Sequence, residues 1–232
     1  MTGILTKPAV LGCIALSLFR LPARADLIIN GNFESPAVPG GSYTDYDPGS
    51  LDIPGWTIIG SDVAVVSGSF KRLGASFPAG AGAQWLDLSG GVSNTPGGVQ
   101  QTVATVPGIK YNLSYLVGNV VAPSGPWGAT STVGVLINGI LVQSAVNSDG
   151  NRSTQSWELF HTSFVAGSSA TVLEFMDLDP RLDLDDGLDN VELTPAQAVP
   201  EPSFLGFLAV AACGLTLLSR RLRRFQVRSR GR

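Results

Sequence analysis

Between residues 26 and 198 the apolar positions do not recur at a helical interval. Short β-branched and aromatic runs recur instead, separated by clusters of Gly, Pro, Asn and Ser, the pattern of strands joined by turns. The runs predict strands at Leu27–Asn30, Trp56–Ile59, Val63–Ser67, Gln84–Leu88, Val99–Thr105, Lys110–Val117, Thr132–Ile137, Ile140–Ala145, Trp157–Phe164, Ala170–Met176 and Leu188–Leu193. Alternation is clearest at Tyr111, Leu113, Tyr115 and Val117, with Asn112 and Ser114 between them. Such a strand keeps one face on a core. Asn138-Gly139 between two apolar runs predicts a two-residue hairpin, and Pro107-Gly108 a second turn. Many short strands without a helix predict an all-β domain, a β-sandwich of jelly-roll type.

The two ends read differently. Lys7 precedes an apolar stretch, Ala9–Phe19, and Ala23-Arg24-Ala25 places small residues at the two positions a signal peptidase reads. Residues 1–25 are therefore expected to be a signal peptide cleaved after Ala25. Val10-Leu11-Gly12-Cys13 loosely mimics a lipoprotein box, but most of the apolar segment follows Cys13, which argues against lipidation. At the other end, residues 203–219 carry no charge. As a helix, 17 residues span about 25 Å, near the lower limit for crossing a bilayer. Arg220, Arg221, Arg223 and Arg224 follow directly, which keeps the C-terminus cytoplasmic and puts residues 26–198 on the far side of the inner membrane.

Charge sharpens the division. The whole chain has a formal net charge of −3, but residues 26–198 hold five basic residues (Lys71, Arg72, Lys110, Arg152, Arg181) against 17 acidic ones, a net −12. That surface argues against nucleic acid and anionic lipid, and suits cations or neutral glycans. Both cysteines, Cys13 and Cys213, fall in the terminal segments. The exported domain thus has no disulfide, and its stability must come from its core or from a bound ion.

Hydrolase machinery is hard to assemble. The single histidine, His161, would share a strand face with Trp157 and Leu159, the setting of a structural histidine. Residues 26–198 contain no Gly-x-Ser-x-Gly elbow, HExxH motif or cysteine nucleophile. Two carboxylates suffice for glycoside hydrolysis, but nothing singles out a pair. The acidic stretch Asp177–Glu192 offers the oxygens calcium needs; it reads equally as a solvated loop, and its spacing is not that of an EF-hand. Sugar recognition needs flat aromatic faces and planar polar groups. Trp56 and Trp157 sit in strand patterns and read as core, whereas Trp85 fits either place. Trp127, in the loop Ala122–Gly128, is a candidate carbohydrate contact if its indole is exposed, the alternative being a lid on the local core. Tyr43 and Tyr46, in the loop Gly40–Ser50 with Asp45 and Asp47, come next.

Two resemblances add to this. Pro200-Glu201-Pro202, the short apolar span and the arginine cluster, in that order over the last 34 residues, resemble the PEP-CTERM sorting signal of Gram-negative bacteria. The resemblance implies recognition at Pro-Glu-Pro by an exosortase, a membrane cysteine protease-transpeptidase that removes the tail. A simple single-span anchor is the plainer reading of the same residues. Within the domain, Ile29-Asn30-Gly31-Asn32-Phe33-Glu34, Pro54-Gly55-Trp56, Gln84-Trp85-Leu86-Asp87-Leu88, Val99-Gln100-Gln101-Thr102-Val103, Tyr111-Asn112-Leu113-Ser114-Tyr115 and Asp189-Asn190-Val191-Glu192-Leu193 look like the galactose-binding-like jelly rolls. In particular they resemble a secreted, uncharacterised family of plant cell walls and bacteria. The plant members' cysteines are missing here. The likeness implies carbohydrate binding and a structural Ca2+ between the first and last strands, on Glu34 and Asp189. The expectation is three segments (1–25 signal peptide, 26–198 β-sandwich, 199–232 sorting tail with one transmembrane helix). They would belong to a non-enzymatic protein of the cell surface or extracellular matrix that binds exopolysaccharide. A purely structural matrix protein and a glycoside-acting enzyme are the alternatives.

Overall fold

Tyr111, Leu113, Tyr115 and Val117 all bury on one face of the strand Lys110–Asn119. The computed structural model describes residues 25–91, 95–121, 127–149, 153–179 and 186–196. The signal segment, with Ala23, lies outside them, as does the whole tail with Pro200, Glu201, Pro202, Arg220, Arg221, Arg223 and Arg224. Among the described residues there is no helix, and so none long and apolar enough to cross a membrane.

Arg24–Ala198 makes one unit, whose described residues form thirteen strands: β1 (Tyr43–Tyr46), β2 (Thr57–Gly60), β3 (Val63–Ser67), β4 (Lys71–Arg72), β5 (Ala75–Ser76), β6 (Gln84–Asp87), β7 (Gly97–Ala104), β8 (Lys110–Asn119), β9 (Ser131–Ile137), β10 (Ile140–Asn147), β11 (Ser156–Val165), β12 (Ala170–Asp177) and β13 (Gly187–Pro195). They form a six-stranded sheet, β1-β3-β6-β13-β8-β11, a five-stranded sheet, β10-β9-β12-β7-β2, and a small β4-β5 ribbon. The pairs are antiparallel. From β6 onward the chain passes repeatedly from one sheet to the other, the crossing pattern of a jelly roll.

The turns follow from their residues. Asn138 and Gly139 have φ of 52° and 78°, the left-handed pair a type I′ hairpin requires, and they set Ile137 opposite Ile140 in β9 and β10. At Pro107-Gly108 the amide of Ile109 donates to the carbonyl of Val106 at 3.1 Å, and this turn carries the chain from β7 in one sheet to β8 in the other. Between the sheets lies the main core, with Trp56, Tyr115, Phe33 and Phe175 among its largest members. A second apolar cluster sits outside it, on the outer face of the six-stranded sheet, around Trp85, Phe77 and Trp127.

The strands depart from expectation at three places, one of them the short β4-β5 ribbon, which no apolar run predicts. Leu27–Asn30 is not a strand. Leu27 donates a backbone hydrogen bond to Leu193, but the N–H and C=O of Ile29 are taken by the side-chain amide of Gln101 at 2.9 and 3.0 Å. Asn30 then turns to a φ of 54°. Conversely, β1 falls in what reads as a Gly- and Pro-rich loop, because Thr44 and Asp45 hide a four-residue strand. Pairing with β3 supplies its hydrogen bonds.

Candidate functional site

Alternation in β3 and β6 decides what faces outward. Val63, Val65 and Leu86 point into the main core, so Ala64, Val66, Trp85 and Asp87 point to the other side of the six-stranded sheet. The chain after β3 folds back over that face and brings Phe70 and Phe77 onto it. Phe77 stacks on Trp85 (centroids 6.2 Å apart, 18° between planes) and meets Trp127 edge-on at 5.1 Å. Tyr43 of β1 meets Phe70 edge-on at 5.5 Å, and Trp157 of β11 packs edge-on against Trp85 at 5.8 Å. Two indole N–H groups reach carbonyls: Trp85 donates to Phe77 at 3.2 Å and Trp157 to Pro78 at 2.8 Å.

These contacts correct two expectations. Of the two readings of Trp127 the structure gives the lid, not the exposed contact: the residue is 4% exposed, because its ring closes over Phe77 as part of the second core. Tyr46 is 8% exposed and belongs to the main core, since it ends a strand that the sequence hides. Only Tyr43 keeps a place at a surface. It lines a narrow cleft of about 30 Å³ together with Phe70, Trp85, Trp127, Arg72 and Asp87. The space admits a hydroxyl or one water, not a sugar ring. Nε1 of Trp127 is buried with no acceptor among the described residues, and both amide atoms of Gln155 are likewise without partners. Buried polar atoms left this way mark a missing partner.

The acidic residues fall into two groups. Glu34 and Asp189, expected to share an ion, meet across the turn at 81–84. Oε1 of Glu34 accepts the amides of Ala83 and Gln84 at 2.6 and 2.9 Å, while Asp189 accepts those of Ala81 and Asn190 at 2.8 and 2.7 Å. Their first work is to hold backbone. Desolvation pushes Asp189 up to about 7, backbone hydrogen bonds oppose the rise, and the Glu34 charge adds to it. The carboxylates that converge best are others: oxygens of Asp177, Asp179 and Asp186, all buried, lie within 4.8 Å of one another. Such a set suits a hard divalent cation, with carbonyls or water completing the shell. Asp177 Oδ1 also accepts the Asp179 amide at 2.6 Å, and Asp179 Oδ2 accepts the Thr132 amide at 2.7 Å. Burial raises both carboxyls, and for Asp177 the neighbouring Asp179 charge adds to the effect. Asp87, at the cleft, is also raised to about 7 by burial, although it accepts the Ser89 hydroxyl and amide at 2.7 and 2.9 Å.

The sequence pointed to Asp177–Glu192 as an acidic stretch but not to this convergence. Strand β12 delivers Asp177, and Asp186 immediately precedes β13. Asp87 entered the sequence reading only within the motif Gln84–Leu88 and not as a site residue, because its strand neighbours Leu86 and Leu88 are apolar. His161 is exposed on the edge strand β11. With Asn112, Ser114, Ser163, Glu192 and Thr194 it borders an open polar trough of about 510 Å³. Ser114 sits between His161 and Glu192 in register, so the histidine is not placed between nucleophile and acid as a triad requires.

Residues 26–185 match DUF642, a protein family of unknown function. The chain belongs to the DUF642 family. No curated protein matches its sequence. Among solved structures, the DUF642 domain is similar to the CBM22-1 xylan-binding domain from Paenibacillus barcinonensis Xyn10C (17% identity, 70% of this chain and 100% of that one, TM-score 0.38). It is similar also to the EclA C-terminal domain, a sugar-binding protein (12% identity, 41% of this chain, TM-score 0.34), of which the match spans 64%. A third likeness is to the enzymatically active domain of bacteriophage CBA120 tailspike protein 4 (16% identity, 73% of this chain but 21% of that one, TM-score 0.40). Likeness at this level says nothing of what the DUF642 domain binds.

Proposed function

We propose that the DUF642 domain is a non-enzymatic module that binds a neutral polysaccharide over the cleft on the outer face of the six-stranded sheet. The observation that carries the reading is the buried Trp127 Nε1, a donor without an acceptor among the described residues, in a cleft edged by Tyr43 and Phe70. A glycan lying on those two half-buried rings would send one hydroxyl inward to the indole N–H, which combines an apolar platform with a directed polar contact. The expected partner is neutral because the domain's net charge of −12 repels polyanions. Trp127→Phe keeps most of the ring and removes the donor. It should weaken binding by about 1 kcal/mol, roughly fivefold in Kd, and Tyr43→Ala should weaken it more. A glycan array followed by calorimetry on the hit checks both. Saturable binding that neither change affects moves the site elsewhere.

The alternative is a structural matrix protein with no specific ligand. It is favoured by the burial of Trp127 and Tyr46, and it gives a blank array.

We also propose that the protein is exported, sorted by an exosortase at Pro200-Glu201-Pro202 and released to the cell surface or extracellular matrix. The tail residues alone support this. The mature protein should then lack its arginine cluster, so peptides covering residues 220–232 recovered from the surface form count against sorting. A structural Ca2+ belongs to the same reading, on Glu34 and Asp189 as the resemblance implies. Oε2 of Glu34 would be the main oxygen left for it there, because backbone amides of Ala81, Asn190 and Gly80 already engage Asp189.

A further inference from the structure

Hydrogen bonds identify the end of the domain at which the chain leaves it. Ala196 donates to the carbonyl of Lys110 at 2.7 Å, Gly108 to that of Ala166 at 2.8 Å, and Ala166 to that of Ile109 at 2.9 Å. The exit of the chain, the turn from β7 to β8 and the loop from β11 to β12 therefore meet at one end of the sandwich. Those two connections, residues 104–110 and 165–170, hold no acidic residue and one basic one, the exposed Lys110. Val106 and Val165 project from them, 49% and 62% exposed, and Pro107 is exposed beside Val106. Asp26 lies nearby, but its Oδ1 accepts the amides of Ile28 and Leu193 at 3.0 and 2.8 Å. Acids collect at the other end, where Asp87 is in register with Gly187 and Gly118 and where Asp177, Asp179 and Asp186 converge.

Residues 197–202 are all that separate this end from the uncharged run 203–219, and a stretch of that length reaches about 20–25 Å at most. On the reading of that run as a membrane span, which this inference rests on, the end that carries Val106 and Val165 stays within that distance of lipid. We infer that the exported domain docks this end on the bilayer for as long as its tail is in place, with Val106 and Val165 entering the interface. Two half-exposed valines are too weak a contact to hold a free domain. A short tether changes that, because it raises the effective concentration of the second contact to the millimolar range. Lys110 can lay its methylene stem on the same surface and keep its ammonium among the headgroups. β8 has ten residues, so the acids at its far end stand about 30 Å away, several times the Debye length of about 8 Å at physiological salt. The net charge of −12 therefore opposes the contact little. Docking turns the Asp87 end, and with it the cleft that Asp87 lines, away from the membrane. Removal of the tail removes the tether and releases the domain.

The test uses the chain purified from the membrane of a host without an exosortase, with Cys13→Ser and Cys213→Ser so that introduced thiols are alone. One cysteine then carries a fluorophore. Gly167→Cys places it at the docked end, where an added Cβ has nothing within 4 Å. Ser148→Cys places it just past β10 at the acidic end, on an exposed residue. Each chain is reconstituted into phosphatidylcholine vesicles that carry a nitroxide quencher on the acyl chain near the headgroup. The chain should float with the vesicles, and the probe at 167 should be quenched while that at 148 is not. Val106→Asp with Val165→Asp should abolish the quenching at 167 without releasing the chain from the vesicles or lowering its melting temperature. A chain that floats with the probe at 167 unquenched, or quenched no more than that at 148, overturns docking and leaves the anchor. So does quenching that survives both aspartates. A chain that fails to float overturns the membrane reading of the tail, and docking with it.

Discussion

Asp189 concentrates what single residues do in this domain. Its carboxylate is wholly buried and accepts the amides of Ala81 and Asn190, while Glu34 beside it takes those of Ala83 and Gln84. Gly82, at φ +68°, fits between because a Cβ there would stand 2.3 Å from Oε1 of Glu34. Removing the Asp189 carboxylate leaves two amides without acceptors, and a buried group so stranded costs about 1–3 kcal/mol. Asp189→Ala should therefore lower stability in urea unfolding by at least that much even without any ion, whereas exposed Asp149→Ala should change it little. Equal midpoints for the two variants would mean that Asp189 is not holding the turn. At this scale the sequence misled most over Trp127. A tryptophan between Pro and Gly looks exposed, and only the fold shows Phe77 under its ring. Exposure is a property of what packs against a residue, which local context does not contain.

At the scale of elements, legibility tracked how much of a strand's signal is local. β3 was read at its observed limits, and β8, β9, β11 and β12 within a few residues, because each is rich in β-branched or aromatic residues between turn signals. The β9–β10 hairpin was legible because Asn-Gly specifies its own turn. β1 was not, since four residues with two polar members acquire strand character only from pairing with β3. The failure at Leu27–Asn30 is the converse, a good strand composition whose hydrogen bonds go to a side chain, Gln101, seventy-two residues away. The candidate cleft was partly legible for a related reason. Tyr43 and Trp127 were named as sugar contacts, but Phe70, Phe77 and Asp87 reach the site through sheet register and the fold-back after β3, which no spacing announces. The same gap separates the acidic stretch, visible as composition, from the convergence of Asp177, Asp179 and Asp186, which needs two strands to bring it about.

For the molecule as a whole, the buried carboxylates set the pH dependence. Asp87 and Asp189 are raised to about 7, and Asp177 and Asp179 are raised as well, in each case chiefly by burial. The unfolded chain releases these protons near pH 4. Between about pH 4 and 7 the folded state thus holds more protons than the unfolded one, and stability falls as pH rises through that window. The melting temperature in chelator should be highest on the acid side of the window and decline toward pH 7. A bound divalent cation reverses the argument, because it binds the ionised carboxylates and supplies the charge the protons otherwise neutralise. A ligand that binds only the folded state adds about 2.7 kcal/mol at a hundredfold excess over Kd. Calcium should raise the melting temperature most at pH 7 and flatten the decline. Which acids hold the ion is then read from two variants. Asp189→Ala abolishes the calcium gain if the ion ties the two ends of the domain, and Asp179→Asn abolishes it if the ion sits among the three converging aspartates. A decline with pH that calcium leaves untouched would place these carboxylates in the fold as protonated hydrogen-bonding groups, with no ion at either place.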